Sequence, residues 1–195
     1  MIDGTPVPCS TLDMGLFSPA DSCYWKETTG PAGGGVDVQA LAQQAVEKLL
    51  LEGPDIGIVP RPDGTGLVGM PVWIWSNPGP SRTGPTSASA SAGAVTVTAT
   101  ARVRTIVWSM GDGATIPCAG PGTPYEPTFG KDPSPTCGHM YTRTSAQAPG
   151  GRYPVTATST WDIQREGAGQ SGTLTASRAS STSLAIGELQ VVGAG

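Results

Sequence analysis

The chain is predicted to fold mostly as an antiparallel β-sandwich, preceded by one α-helix and a small disulfide-held N-terminal segment. Three observations carry that expectation. From Ile56 onward, short stretches alternate between apolar and hydroxyl side chains, the period of a half-buried strand. Turn formers are abundant, with 28 Gly and 19 Pro in 195 residues, and they cut the chain into short elements. Charged residues are scarce at 13%, while five Trp require a core to bury them.

Residues 1–35 hold Cys9, Cys23 and "CYWKE", then run into the tract "GPAGGG", a flexible connector. Such a segment is too small to build its own core. Four cysteines allow three connectivities, and proximity alone pairs Cys9 with Cys23 and Cys118 with Cys137. Neither pair has Cys-x-x-Cys spacing, and a single His does not complete a zinc set with them. Disulfides are therefore expected, each worth about 3 kcal/mol in the chain-entropy description. They imply an oxidising compartment. The opening "MIDGTPVPCS" has neither a charged start nor an apolar core. With disulfides expected, a secreted or cell-envelope protein whose export signal is trimmed or miscalled is the expectation, and a cytosolic origin the alternative. No apolar run approaches the roughly 20 residues that span a bilayer.

Residues 36–71 should supply the helix and a lead-in strand. In "VDVQALAQQAVEKLLLEGP" the apolar residues Val38, Leu41, Ala42, Ala45, Val46, Leu49 and Leu50 recur at three and four. Asp37 is the expected N-cap, and Gly53 with Pro54 the stop. The stripe suits packing on the following domain or docking on a partner. "IGIV" then begins the strands.

Residues 72–195 should form the sandwich. "PVWIW" is a short apolar strand, and "TSASASAGA" reads as a loop. "VTVTATARV" puts Val95, Val97, Ala99, Ala101 and Val103 on one face, but Ile106 and Trp108 of "TIVWS" have the opposite parity. Only a bulge or a turn can flip a period of two, and a tight turn near Ala101–Arg104 is the simpler expectation. "YPVTATSTWDI" alternates cleanly from Tyr153 to Ile163, and "GTLTAS" and "SLAIGELQVV" close the chain.

The chemistry is sparse. A net charge of −4 with no basic stripe argues against nucleic-acid binding, and the alternating Arg102 and Arg104 suit a solvated face. Gly130-Lys131 is followed by Asp132 where a phosphate loop needs a hydroxyl, so nucleotide binding is not expected. "GQSG" around Ser171 is no nucleophile elbow, and His139, the only histidine, suits a structural hydrogen bond in a loop. No catalytic residue and no cofactor are expected. In "WSMGDG", Gly111 and Gly113 permit positive φ and Asp112 can bond amides two residues on, the chemistry of a tight strand-ending turn. Asp112 could alternatively serve as a hard oxygen ligand for calcium, though one carboxylate is too few. No metal site is expected.

Trp108, Gly111, Asp112 and Gly113, then His139 and Tyr141, then Gly151, Tyr153 and Val155 together resemble the polycystic-kidney-disease (PKD) repeat. That family carries a Trp-x-x-Gly-Asp-Gly turn, a later His-x-Tyr and a Gly-x-Tyr-x-Val strand. Here Met110 replaces the usual Phe, and the stretch before the His is longer and bracketed by Cys118 and Cys137. The chain is also similar to exported actinobacterial proteins often labelled "ATP/GTP-binding", which share "CYWK" and "VGMPVWIW"; the missing phosphate loop lends that label no support. The PKD resemblance implies an immunoglobulin-like sandwich with Trp108 in the core and the Asp112 turn at one end. It also implies an accessory or adhesive role.

The functional expectation is a non-enzymatic extracellular or envelope module that binds a protein or cell-wall glycan. The alternative is an accessory domain of a larger secreted hydrolase or transport assembly. Exposed Thr and Ser faces and the Cys118–Cys137 loop are the candidate surfaces. Tyr125 and Phe129 in that loop could anchor a partner or pin the loop to the sandwich. Trp73 and Trp75 share one strand face, suited either to burial against the helix or to stacking on a sugar.

Overall fold

A computed structural model of the chain describes residues 36–189; the expected Cys9–Cys23 pair lies outside them. The fold is mostly β, with one helix and two sheets. Helix α1 (Val38–Glu47) is followed by β1 (Asp55–Val59), β2 (Thr65–Leu67), β3 (Pro71–Asn77), β4 (Thr86–Ala92), β5 (Val95–Ser109) and β6 (Thr115–Ala119). Then come β7 (Gly138–Met140), β8 (Tyr153–Gly167) and β9 (Gln170–Gly187). The smaller sheet has the order β1-β3-β7. The larger runs β2-β9-β8-β5-β4, with β6 added beside β5. All pairings are antiparallel except β2 with β9, which are parallel.

The long strands β5, β8 and β9 make one ribbon that carries two cores side by side on the same face. Along β8 the residues Tyr153, Val155, Ala157, Ser159, Trp161 and Ile163 are all buried, a single uninterrupted parity. At one end Trp161, Ile163, Val97, Ala99 and Ala101 pack under Leu41, Ala42, Ala45 and Leu49 of the helix region. At the other end Ile106, Trp108, Val155, Ala157 and Leu184 pack against Ile58, Val72 and Ile74 of the smaller sheet. Helix and small sheet thus cover adjacent halves of the ribbon, giving a sandwich with a mixed second layer. Through β1 with β3 and β2 with β9, residues 36–71 share these sheets and cores with the rest of the fold.

Three expectations are corrected. The parity flip in 95–109 is a bulge inside one strand, not a turn between two. Val103 pairs with Trp161 and Thr105 with Thr160, so Arg104 is the extra residue. Because β8 runs straight past, the insertion lets both Ala101 and Ile106 face inward. "TSASASAGA" is not a loop but strand β4 with its turn: Ala90 is buried, and Ser87, Ser89 and Ser91 meet Thr100, Thr98 and Thr96 at 2.8–2.9 Å. Alanine on its inner side lets the helix approach closely. The helix ends at Glu47, short of Gly53-Pro54. Leu50 takes a φ of 48° and is 74% exposed, so it leaves the apolar stripe, while Leu49 stays buried. Asp37 does cap the helix, its carboxylate accepting from Gln39 and Ala40 amides. The closing stretches also merge, since residues 170–187 form one strand.

Candidate functional site

The turn after β5 and strand β7 bring Asp112, His139 and Tyr141 together. Asp112 Oδ1 accepts from the Ala114 amide at 3.0 Å, and Oδ2 meets His139 Nε2 at 2.7 Å. A carboxylate only accepts, so Nε2 carries the proton. Burial alone would raise the Asp112 carboxyl; the Ala114 amide and the His139 bond and charge outweigh it, and the group sits below its ordinary value. Tyr141 donates to the Met110 carbonyl at 2.8 Å, and its ring meets His139 edge-on and stacks on Tyr153. Burial, then the Asp112 and Tyr153 charges, push the Tyr141 phenol well up. Gly111 is required here: its φ is 79°, and a Cβ would stand 2.6 Å from the Pro154 carbonyl oxygen. Trp108 is fully buried two positions before Met110. His139 lies on a strand, not in a loop.

Trp73 and Trp75 do share a face, the outer face of the small sheet, but neither packs on the helix, which covers β4, β5 and β8. The two have different surroundings. Trp73 is 2% exposed, boxed between Tyr125 edge-on at 5.3 Å and Phe129 at 4.8 Å, with its indole N–H donated to Asp132 O at 2.8 Å. Tyr125 and Phe129 therefore pin the loop to the sheet. The Cys118–Cys137 disulfide, with Cα atoms 5.9 Å apart, closes the same loop and ties β6 of the large sheet to the strand entering β7 of the small one.

Trp75 is only partly buried, and its indole lies over Gly57, its partner on β1. A Cβ on Gly57 would stand 2.0 Å from the ring, so no other residue lets the indole lie there. Its N–H is donated to Asn77 Oδ1 at 2.9 Å. Asn77 pairs with Asp55, and the Asp55 carboxylate forms an ion pair with Arg82, its Oδ2 2.9 Å from Nη1. Arg82 Nε also donates to Glu52 at 2.9 Å. Glu52, Asp55 and Arg82 line a shallow cleft of about 420 Å³, completed by Ser180, Ser181 and Thr182 of β9. These polar residues were not singled out from sequence; about 30 residues separate Glu52 and Asp55 from Arg82, and the β1–β3 pairing together with the Glu52 amide bond to the Ser81 carbonyl brings them together.

No family model, curated protein or solved structure matches the chain. The geometry therefore stands alone as the guide to function. Rows of hydroxyl side chains mark the outer face of the large sheet. There Ser89, Thr98 and Glu166 share one cross-strand row, Ser87, Thr100 and Gln164 the next, and Thr160 and Ser177 another. Arg102 and Arg104 lie on this side, Arg104 pairing with Asp162 at 3.5 Å, two exposed groups. Among the described residues no three of His, Cys, Asp and Glu gather closely enough to hold a metal, and no helix is long and apolar enough to cross a membrane.

Proposed function

We propose that this protein is a non-enzymatic, PKD-like binding module of the extracellular space or cell envelope, recognising a protein or cell-wall glycan. The observation that carries the reading is the large sheet's hydroxyl-covered outer face. It carries rows of Thr and Ser on paired strands, with the charges of Arg102, Arg104, Asp162 and Glu166 among them, and offers many donors and acceptors at small ordering cost. The internal use of His139 supports a non-enzymatic role, since its imidazole is held by Asp112 and met edge-on by Tyr141. The meeting of the Asp112 turn with His139, Tyr141 and Tyr153 supports the PKD likeness. The Cys118–Cys137 bond supports an oxidising compartment.

The test is retention of the oxidised protein by a solubilised envelope fraction and, in parallel, by sedimented peptidoglycan. Thr98→Lys and Thr160→Lys place charge in the hydroxyl rows without touching either core. Saturable retention that these variants weaken at least about tenfold is the expected result. Equal retention of both variants would move the contact surface elsewhere, and no retention in either arm would remove the binding-module reading.

A further inference from the structure

We infer that Trp75, Asn77, Asp55, Arg82 and Glu52 form a saccharide-binding site, with Trp75 as the stacking plate for a neutral pyranose. The inference deepens the glycan branch of the binding-module reading and rests on it. It uses a different surface, the outer face of the small sheet and the cleft beside it.

Four features of the geometry point to a sugar. The first is a flat aromatic ring kept partly open. Trp73, Trp108 and Trp161 are buried, whereas Trp75 is only partly so, and no other ring pairs with it among the described residues. The second is that the ring is fixed before any ligand arrives. Gly57 beneath it removes the Cβ that would tilt it, and Asn77 holds its N–H at 2.9 Å. A preorganised apolar plate is what the C–H face of a pyranose needs, because little side-chain entropy is lost on stacking.

The third is the polar set beside the plate. Asp55 stands opposite Asn77 in the register and also lines the cleft, so ring and cleft are joined through it. Arg82 holds both carboxylates through Nε and Nη1, which leaves Nη2 without a partner among the described residues. The carboxylates retain lone pairs for sugar hydroxyls, and Nη2 supplies a donor. Bidentate acceptors next to a fixed guanidinium match vicinal diols. The fourth is size and charge. A cleft of about 420 Å³ falls in the usual ~300–1,000 Å³ range of small-ligand sites. Two carboxylates against one guanidinium leave a single negative charge, which disfavours acidic sugars and selects neutral ones.

The experiment titrates the oxidised full chain with two neutral probes, β-1,4-linked N-acetylglucosamine and glucose oligomers of three to six units. Binding is read by calorimetry and by acrylamide quenching of tryptophan emission, with Trp75→Phe as the baseline that isolates the Trp75 signal. Protection of Trp75 from the quencher is expected with at least one probe. So are losses of at least about tenfold in affinity for Trp75→Ala and for Arg82→Ala. Gln44→Ala, on the exposed side of α1 and outside both proposed surfaces, should bind the oligomers as wild type does. If Trp75→Ala folds poorly, Arg82→Ala and the quenching difference still decide the matter. Undiminished oligomer binding by Arg82→Ala together with no protection of Trp75 overturns the site. Failure of every neutral oligomer to bind, while the envelope fraction still retains the protein, overturns the saccharide inference and leaves the binding-module reading intact. Failure of both removes both.

Discussion

The Asp112 carboxylate meets the His139 imidazole at 2.7 Å, and with that bond the turn after β5 is fastened to β7 of the opposite sheet. Both side chains are largely shielded, at 15% and 12% exposure, so the bond is little screened by water. Asp112→Asn or His139→Phe should each cost about 2 kcal/mol, the range for a hydrogen bond to a charged group. A double-mutant cycle by chemical denaturation should return a coupling of about 1–2 kcal/mol. Strict additivity would show that the pair contributes nothing as a pair.

Acid should act through the same carboxylate. The Asp112 carboxyl is held below its ordinary value in the folded state. Its contribution is therefore complete above the unfolded value of about 3.9 and is lost as pH falls through the lower folded value. Denaturant midpoints for wild type should fall more steeply than those of Asp112→Asn as pH drops below about 4. Parallel profiles would assign the acid sensitivity to other carboxylates.

Reduction should be felt mainly in the loop. The Cys118–Cys137 bond closes a separation of 19 residues, worth about 3 kcal/mol in the entropic description. At about 2–4 °C per kcal/mol for a chain of this size, the melting temperature should drop by about 6–12 °C with reductant present. The Trp73 box with Tyr125 and Phe129 should keep the loop docked even then, so limited proteolysis at 120–136 should become fast only in a reduced Trp73→Ala variant.

The bulge makes a sharper prediction. Deleting Arg104 would shift the parity of everything after it in β5, turning Ile106 and Trp108 outward. No soluble, cooperatively melting protein should result. Arg104→Ala keeps the residue count and loses only an exposed ion pair, so it should stay within about 0.5 kcal/mol of wild type. A well-folded deletion variant would mean that the strand can re-register.

Gly111→Ala should cost more than most surface changes. It forces a side chain into a φ of 79° and against the Pro154 carbonyl, so a loss of about 2 kcal/mol or more is expected by thermal melting.

Where local chemistry dictated structure, the sequence was readable. The Asp37 cap, the Tyr153–Ile163 alternation and the glycine turn all follow from one residue's bonding or from a period of two. Strand β4 was hidden because Ser and Ala carry weak strand preference; what makes "TSASASA" a strand is the hydroxyl zipper with β5 and the need for small residues under α1. The bulge was visible as a parity flip, but whether the chain turned or bulged depended on β8, about 55 residues downstream. The fate of Trp73 and Trp75 was equally remote. One is covered by a loop about 50 residues later, the other left partly open over a glycine, and alternation treats them alike.

The ribbon has a mechanical consequence. Val38 lies beside the hairpin end at Gly167 and Gln170, whereas Gly187 ends β9 at the other extreme, beside β2. Eighteen residues of β9 at ~3.3 Å each put no more than about 60 Å between these points. Tension applied across them runs along the strands, loading the β8–β9 ladder in shear, where its rungs must yield together. Loaded this way, the ladder resists as a unit and does not open rung by rung.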